Sequence, residues 1–349
     1  MKKLLAILLS VAMLSTLLAG CAGTTTATTK SNAKKTYAII VKNAGNPYNE
    51  KESAGFKEVI EAAGATCIIK APESATAEAQ ITMINELVAQ KVDAIAIAGN
   101  DADALQPALK QAMDAGIKVL SLDSAVNKDS RLVHVNQAST VLIGTTLVAA
   151  VADIAGADGG QFAILSATSQ ATNQNSWIDA MKADLEKDSR KLELVKIAYG
   201  DDEFQKSVDE TEALIKNYPD LKVICAPTTV GMMAAAKVLT DKGLTATIKL
   251  TGLGLPSEMA DYIGTDLACP YMFLWNPLEI GALAAYTAIA LVDGSITGKE
   301  GETFTAGTLG DKKDGKYTIV AAADGGTEII LGSPFKFEPS NIAEWKAVY

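Results

Sequence analysis

From Thr36 onward, short runs that are apolar on both faces alternate with amphipathic stretches of helical period. The runs TYAIIVK (36–42), TCIIK, DAIAIAG and KVLSLD predict strands, and residues 48–63, 75–90 and 102–115 between them predict helices. Strands without a polar face must be covered on both sides, and a helix between successive strands lets them run parallel. The rhythm restarts after Asn136 with a helix over 140–155, the strand QFAILSA, a helix after 172, LELVKIAYG, a helix over 204–217, KVICAP, a helix over 229–243 and IKLTGLG. A later strand, CPYMFLW (269–275), leads into an apolar helix over 277–293 and then a tail of short strands.

At 349 residues the chain exceeds what one core usually serves. The fold class expected is α/β, with two doubly wound parallel-sheet lobes joined by a multi-crossing hinge. Lobe one covers 36–136 with 276–303 returning to it; lobe two covers 137–275, with 304–349 near the hinge or lobe two.

The N-terminus follows a different pattern. Lys2 and Lys3 precede an apolar run from Leu4 to Leu18, which stops at Ala19-Gly20-Cys21. Small residues before a cysteine mark a lipoprotein signal, and the run is too short and wrongly flanked for a spanning helix. The expectation is a signal peptide over 1–20, lipidation at Cys21, and a flexible tether over 21–35. The folded part then sits outside the cytoplasm, on the outer face of the cytoplasmic membrane, touching it through the lipid only.

Composition narrows the chemistry. With 31 basic and 41 acidic residues the net charge is -10, which argues against nucleic acid and against direct adhesion to anionic lipid. Cys67, Cys225 and Cys269 lie in apolar runs that read as buried strands, where thiols act as small hydrophobes, and their spacing fits no metal. The single histidine, His134, has no second His or Cys near it in the pattern and reads as structural rather than as a base or zinc ligand. TGLGLP (251–256) lacks the third glycine of a dinucleotide fingerprint, and there is no P-loop. Glycosidase chemistry needs paired carboxylates, whereas Asp201-Asp202 follow a different strand from Asp123. Neither an enzyme nor a cofactor is expected.

In open parallel sheets ligands bind at the carboxyl ends of the strands, and two such edges facing across a hinge can close on a small molecule. Lys42, at the end of the first strand, either snorkels to water or donates into the cleft. Asp123 either caps a turn or accepts from two hydroxyls. Asn173 and Gln174 are adjacent amides suited to a neutral polyhydroxylated ligand, with helix capping the other reading of Asn173. Pro227 and Thr229 follow a strand and offer backbone groups. Tyr48, Trp177 and Trp275 are either core or platforms for a sugar ring. Asn276 reaches either ligand or hinge backbone, with the hinge favoured.

Taken together, VKNAGNPY (41–48), residues 92–124, VNQAS (135–139), TNQNSW (172–177), APTTVG (226–231) and FLWNP (273–277) carry a family likeness. Over essentially the whole mature domain the chain resembles the type I periplasmic sugar-binding family of ABC importers, and within it the LsrB-like autoinducer-2 receptors and the rhamnose-binding proteins. The resemblance implies ligand contacts at Lys42, Asp123, Asn173, Gln174, Pro227 and Thr229. Autoinducer-2 receptors usually carry an aspartate where Asn173 stands and an alanine where Thr229 stands, and the rhamnose-binding relatives share TNQN. The resemblance further implies a monomer that captures autoinducer-2, a quorum-sensing signal, and hands it to an ABC permease. The alternatives are rhamnose or another monosaccharide as ligand, or a sensor presenting ligand to a chemoreceptor or histidine kinase.

Overall fold

The first apolar runs form β1 (Thr36–Ile40), β2 (Thr66–Lys70), β3 (Ala94–Ile97), β4 (Lys118–Leu122) and β5 (His134–Asn136) of a computed structural model that describes residues 34–187 and 190–349. Between the first four of these strands come α1 (Pro47–Ala62), α2 (Ala77–Gln90) and α3 (Ala102–Asp114). β1 is the centre from which this sheet grows, pairing in parallel with both β2 and β3. Its period of two sorts the core into two layers. Ala38 and Ile40 pack with Ile84, Leu87, Leu105 and Leu109 on one face, and Ile39 and Val41 with Phe56, Ile60 and Leu283 on the other.

The second sheet is built the same way from α4 (Thr140–Ala155), β6 (Gly160–Ser166), α5 (Thr172–Leu185), β7 (Leu192–Tyr199), α6 (Phe204–Asn217), β8 (Leu221–Ala226), α7 (Thr229–Asp241) and β9 (Lys249–Gly252). Its parallel strands run in the order β7-β6-β8-β9, with α4 packed on α5 and α6 on α7.

The remaining chain ties the sheets together. After α8 (Pro256–Met259), β10 (Met272–Leu274) leads into α9 (Pro277–Asp293), which packs along α1, β3, β4 and β5. Next come β11 (Thr303–Thr305), β12 (Lys316–Thr318), β13 (Val320–Ala321), β14 (Thr327–Ile330), β15 (Phe335–Phe337) and α10 (Ile342–Trp345). β14 pairs in parallel with β5, so the first sheet has seven strands in the order β13-β14-β5-β4-β3-β1-β2, and β15 pairs antiparallel with β10.

This corrects the placement of the tail near the hinge or lobe two: residues 320–330 extend the lobe-one sheet instead. β5 would otherwise be an open edge, and Glu328, Ile329 and Ile330 of β14 cover it. The strand expected over 269–275 is shorter, and Cys269 lies outside it, in an isolated bridge to Ile263. Cys67, Cys225 and Cys269 are all free thiols, Cys67 only half-buried.

The signal peptide, Cys21 and the tether up to residue 33 lie outside the described residues. Lys35, expected in the tether, is part of the fold: its ammonium pairs with Asp93 at 2.6 Å and its carbonyl accepts from the Thr66 amide at 2.8 Å. Among the described residues no helix is long and apolar enough to cross a membrane.

Two helices that frame the cleft start alike. In each an asparagine side chain accepts from the amide two residues on, Asn46 from Tyr48 and Asn276 from Leu278, both at 3.0 Å. A proline follows as the first helical residue, where its missing N–H is no loss. These helices, α1 and α9, approach at two glycines. A Cβ on Gly55 would lie 1.9 Å from the Leu278 carbonyl oxygen, and one on Gly281 would lie 1.9 Å from that of Glu52. Gly281→Ala must push the helices apart at a backbone contact, at a cost of about 1–3 kcal/mol. Thermal denaturation is expected to show a midpoint lowered by several degrees; an unchanged midpoint refutes the close approach.

Candidate functional site

The carboxyl ends of β1 and β4 in the first sheet and of β6, β7 and β8 in the second border one cavity. Lys42 lies two residues beyond β1 and Asp123 directly after β4. Asn173 and Gln174 occupy the first turn of α5, Asp202 follows β7, and Pro227 to Thr229 follow β8. Leu253, Leu274 and Trp275 close the cavity where the chain crosses between lobes. The enclosed space is small, about 40 Å3, and reaches about 380 Å3 when the solvent at its opening is counted, so a ligand ring enters only as the lobe-to-lobe contacts give way.

A single hydrogen-bonded chain runs through this cavity. Trp275 Nε1 donates to the Tyr48 hydroxyl at 2.6 Å, and that hydroxyl donates to Asp123 Oδ1 at 3.2 Å. The other oxygen of Asp123 accepts from Asn173 Nδ2 at 3.1 Å. The Lys42 ammonium donates to Asn173 Oδ1 at 3.3 Å and to Gln174 Oε1 at 3.1 Å. Lys42 and Asp123 belong to lobe one, Asn173 and Gln174 to lobe two, so the bonds span the cleft. At 4% exposure Lys42 is aimed inward and does not snorkel. The cap position of α5 is Ala171, not Asn173, although Asn173 Oδ1 also accepts from the Gln174 amide in the first turn at 3.0 Å.

Aromatic edges complete the walls. The Trp177 and Trp275 rings meet edge to face at 5.7 Å between centroids, and Tyr48 and Trp275 at 6.5 Å. All three side chains are buried and all three line the cavity. Asn276 does not: its side chain caps α9, and it borders a separate hollow beside Glu279 and Trp345.

The structure adds Asn46, Asn49, Asp202 and Thr228 to the lining. Asp202 corrects the sequence reading, which set it apart from Asp123 because it follows a different strand. The end of that strand faces the same cleft. Asp202 Oδ1 accepts from the Thr228 hydroxyl at 2.8 Å. Asp123, Asp201 and Asp202 all have left-handed backbones, with φ of 57, 54 and 54°. Non-glycine residues are uncommon there, and such outliers gather at functional sites.

Burial pushes the Asp123 carboxyl up to about 6; the Lys42 ammonium and the donors Tyr48 and Asn173 oppose this, while Asp202 adds to it. Burial, then the Asp123 charge, hold the Tyr48 phenol well above its ordinary value, which keeps it a donor. Behind the cavity wall, Glu52 is fully buried with neither carboxyl oxygen hydrogen-bonded, and burial pushes its pKa well up. His134 lies outside this cavity; burial, then the Arg131 charge, lower it to about 3, so the ring is neutral, with Nδ1 2.9 Å from the Ser121 hydroxyl. Among the described residues no cluster of His, Cys, Asp and Glu is placed to hold a metal. The arrangement offers paired acceptors and donors beside indole edges, the chemistry of a polyol site.

Comparison with known proteins places this geometry. The periplasmic binding protein domain family matches residues 37–296. A solved ABC transporter solute-binding protein from Clostridium phytofermentans, with bound L-rhamnose, is 63% identical over 90% of this chain and 99% of its own, with a TM-score of 0.88. A sugar ABC transporter protein from Actinomyces odontolyticus is 35% identical over 89% of this chain and 97% of its own, with a TM-score of 0.69. LsrB from Clostridium saccharobutylicum in complex with AI-2 is 23% identical over 89% and 99%, with a TM-score of 0.82, a likeness of fold. The D-ribose/D-allose-binding protein of Pseudomonas aeruginosa is 25% identical over 179 residues, and the match spans 50% of this chain and 55% of that relative.

The raised Asp123 pKa has a consequence for stability. An unfolded aspartate titrates near 3.9. With the folded value at about 6, the folded chain binds more protons between roughly pH 4 and 6, so this group's contribution to stability falls as pH rises through that window and is level above it. In urea titrations the stability of wild type relative to Asp123→Asn is expected to decline from pH 4 to 6 and then stay constant. A flat difference across that window contradicts the burial of an ionisable Asp123.

Proposed function

Since the chain belongs to the periplasmic binding protein domain family, we propose that it is the solute-binding protein of an ABC importer and that it captures L-rhamnose between its lobes. The observation that carries this reading is the set of hydrogen bonds, Lys42 donating to Asn173 and Gln174 and Asp123 accepting from Asn173, that join the two lobes around one polar cavity. Ligand hydroxyls take the place of these lobe-to-lobe bonds. Asp123 accepts from two hydroxyls, Lys42 donates to a ring or hydroxyl oxygen, and the amides serve both roles. The indoles of Trp177 and Trp275 cover the apolar face of the ring, including the methyl group that distinguishes a 6-deoxyhexose. Pro227 and Thr229 contribute through their backbone. Contacts that form only when both edges touch the ligand favour the closed state, and no covalent bond changes. The permease then receives the sugar unaltered.

The choice of L-rhamnose departs from the autoinducer-2 that the family resemblance implies. Supporting it are the rhamnose-bearing relative and the two positions, Asn173 and Thr229, where the chain differs from autoinducer-2 receptors. An amide in place of a carboxylate exchanges a charge-assisted hydrogen bond for a neutral one, worth on the order of 1 kcal/mol. The signal-like N-terminal run supports anchorage through Cys21 on the outer face of the membrane.

Calorimetry with L-rhamnose, autoinducer-2 and D-ribose tests the ligand. L-rhamnose is expected to bind at least tenfold more tightly than the other two, and binding of autoinducer-2 alone overturns the choice. Asp123→Ala removes two charge-assisted bonds of about 1.5–3 kcal/mol each, so a loss of roughly a hundredfold or more is expected. Asp202→Asn keeps the shape and is expected to cost about tenfold, or 1.4 kcal/mol. Wild-type affinity in either variant removes that residue from the site. For the anchor, Cys21→Ser is expected to move the protein from the membrane fraction to the soluble fraction; retention in the membrane rules out lipidation at Cys21.

A further inference from the structure

Beside the cavity of Lys42 and Asp123 lies a second hollow, about 610 Å3 counted out to its opening. The two share three walls: Asp123, Asn173 and Trp177 line both. The far side of the second hollow carries polar groups among alanines. It includes Arg131, Asn136 and Glu328 from the first sheet and its edge, with Thr172 and Ser176 from α5 facing them. Neither the family resemblance nor the capture of one monosaccharide gives this space a role.

Its chemistry points to a neutral, hydroxyl-bearing occupant. The buried Arg131 guanidinium is balanced by Asp324, at 2.7 Å, so there is no free cation to hold an anion. Arg131 Nε is buried without a hydrogen-bond partner and out of an occupant's reach, so the polar contacts on this side fall to Asn136 and Glu328. Asn136 Nδ2 donates to Glu328 Oε2 at 2.8 Å, which leaves the amide oxygen and the second carboxylate oxygen as acceptors. Trp177, common to both spaces, offers an indole wall for a second ring.

Asp123 and Asn173, which line both hollows, are joined by the hydrogen bond from Asn173 Nδ2 to Asp123 Oδ2, and we take this bond as the partition between them. A glycosidic oxygen has lone pairs and no proton. Inserted at the partition, it accepts from the Asn173 amide while a hydroxyl of the first ring satisfies Asp123, so the bond is exchanged and no polar group is stranded.

We propose that the cleft is a two-compartment site whose second hollow takes the second ring of a rhamnoside, so that this protein binds rhamnosyl disaccharides as well as the free sugar. This rests on the reading that L-rhamnose occupies the first cavity. The experiment is calorimetry of the full-length protein with L-rhamnose and with 6-O-α-L-rhamnopyranosyl-D-glucose. The disaccharide is expected to bind within tenfold of L-rhamnose. Ala323→Trp, at an exposed position lining the second hollow, and Glu328→Ala, which removes an acceptor there, are each expected to weaken the disaccharide at least tenfold and leave L-rhamnose within twofold. Binding of L-rhamnose by each variant also reports that it is folded. A wild-type preference for L-rhamnose greater than tenfold, or disaccharide binding that neither variant changes, overturns the two-compartment proposal alone. Failure of wild type to bind L-rhamnose overturns the reading beneath it, and the proposal with it.

Discussion

The buried contact of Lys42 and Asp123 with Asn173 and Gln174 is the constraint on which the cleft depends. A lysine ammonium and an aspartate removed from water are costly unless each is satisfied by partners, and here the partners come from the opposite lobe. The closed arrangement is therefore held by polar groups that must find substitutes if the lobes part. On the proposed function, water supplies them when the lobes part and sugar hydroxyls supply them when ligand is held. Raising the Asp123 pKa to about 6 is the electrostatic trace of that burial.

Around this contact the scaffold is arranged by close backbone packing together with side-chain helix caps. α1 and α9 touch at Gly55 and Gly281 with no room for a Cβ, and each helix starts with an asparagine cap and a proline at the cleft. Tyr48 stands in the first turn of α1 and Trp275 just before α9, so the glycine contact also sets the distance over which the Trp275 indole reaches the Tyr48 hydroxyl. That hydroxyl in turn orients Asp123. The packing of the two helices that frame the cleft thus bears on where the Asp123 carboxylate points.

Much of this is legible in the chain. Periodicity places most helices within a residue or two, because a run of β-branched residues between amphipathic stretches has few alternatives in water. Lys42, Asp123, Asn173, Gln174, Pro227 and Thr229 emerge from one rule, polar residues at the carboxyl ends of parallel strands, joined to a family resemblance. Asp202 obeys the same rule and is missed, because a strand order does not say which strand ends face one another. Asn276 reads as a contact to ligand or, by preference, to hinge backbone, and its side chain accepts from the Leu278 backbone amide at the crossing, as the cap of α9.

The sequence by itself determined the local elements, the alternation that demands covered parallel sheets, and the residue types available for binding a neutral polyol. Only the tertiary structure decided that β14 completes the first sheet, that Asp202 joins Asp123 around one cavity, and that Asn173 bonds across the cleft as well as to a first-turn amide of its own helix. The physical reason is range. Periodicity and capping act over a few residues, but Lys42 and Gln174, separated by 132 positions, meet only once two sheets have been brought edge to edge.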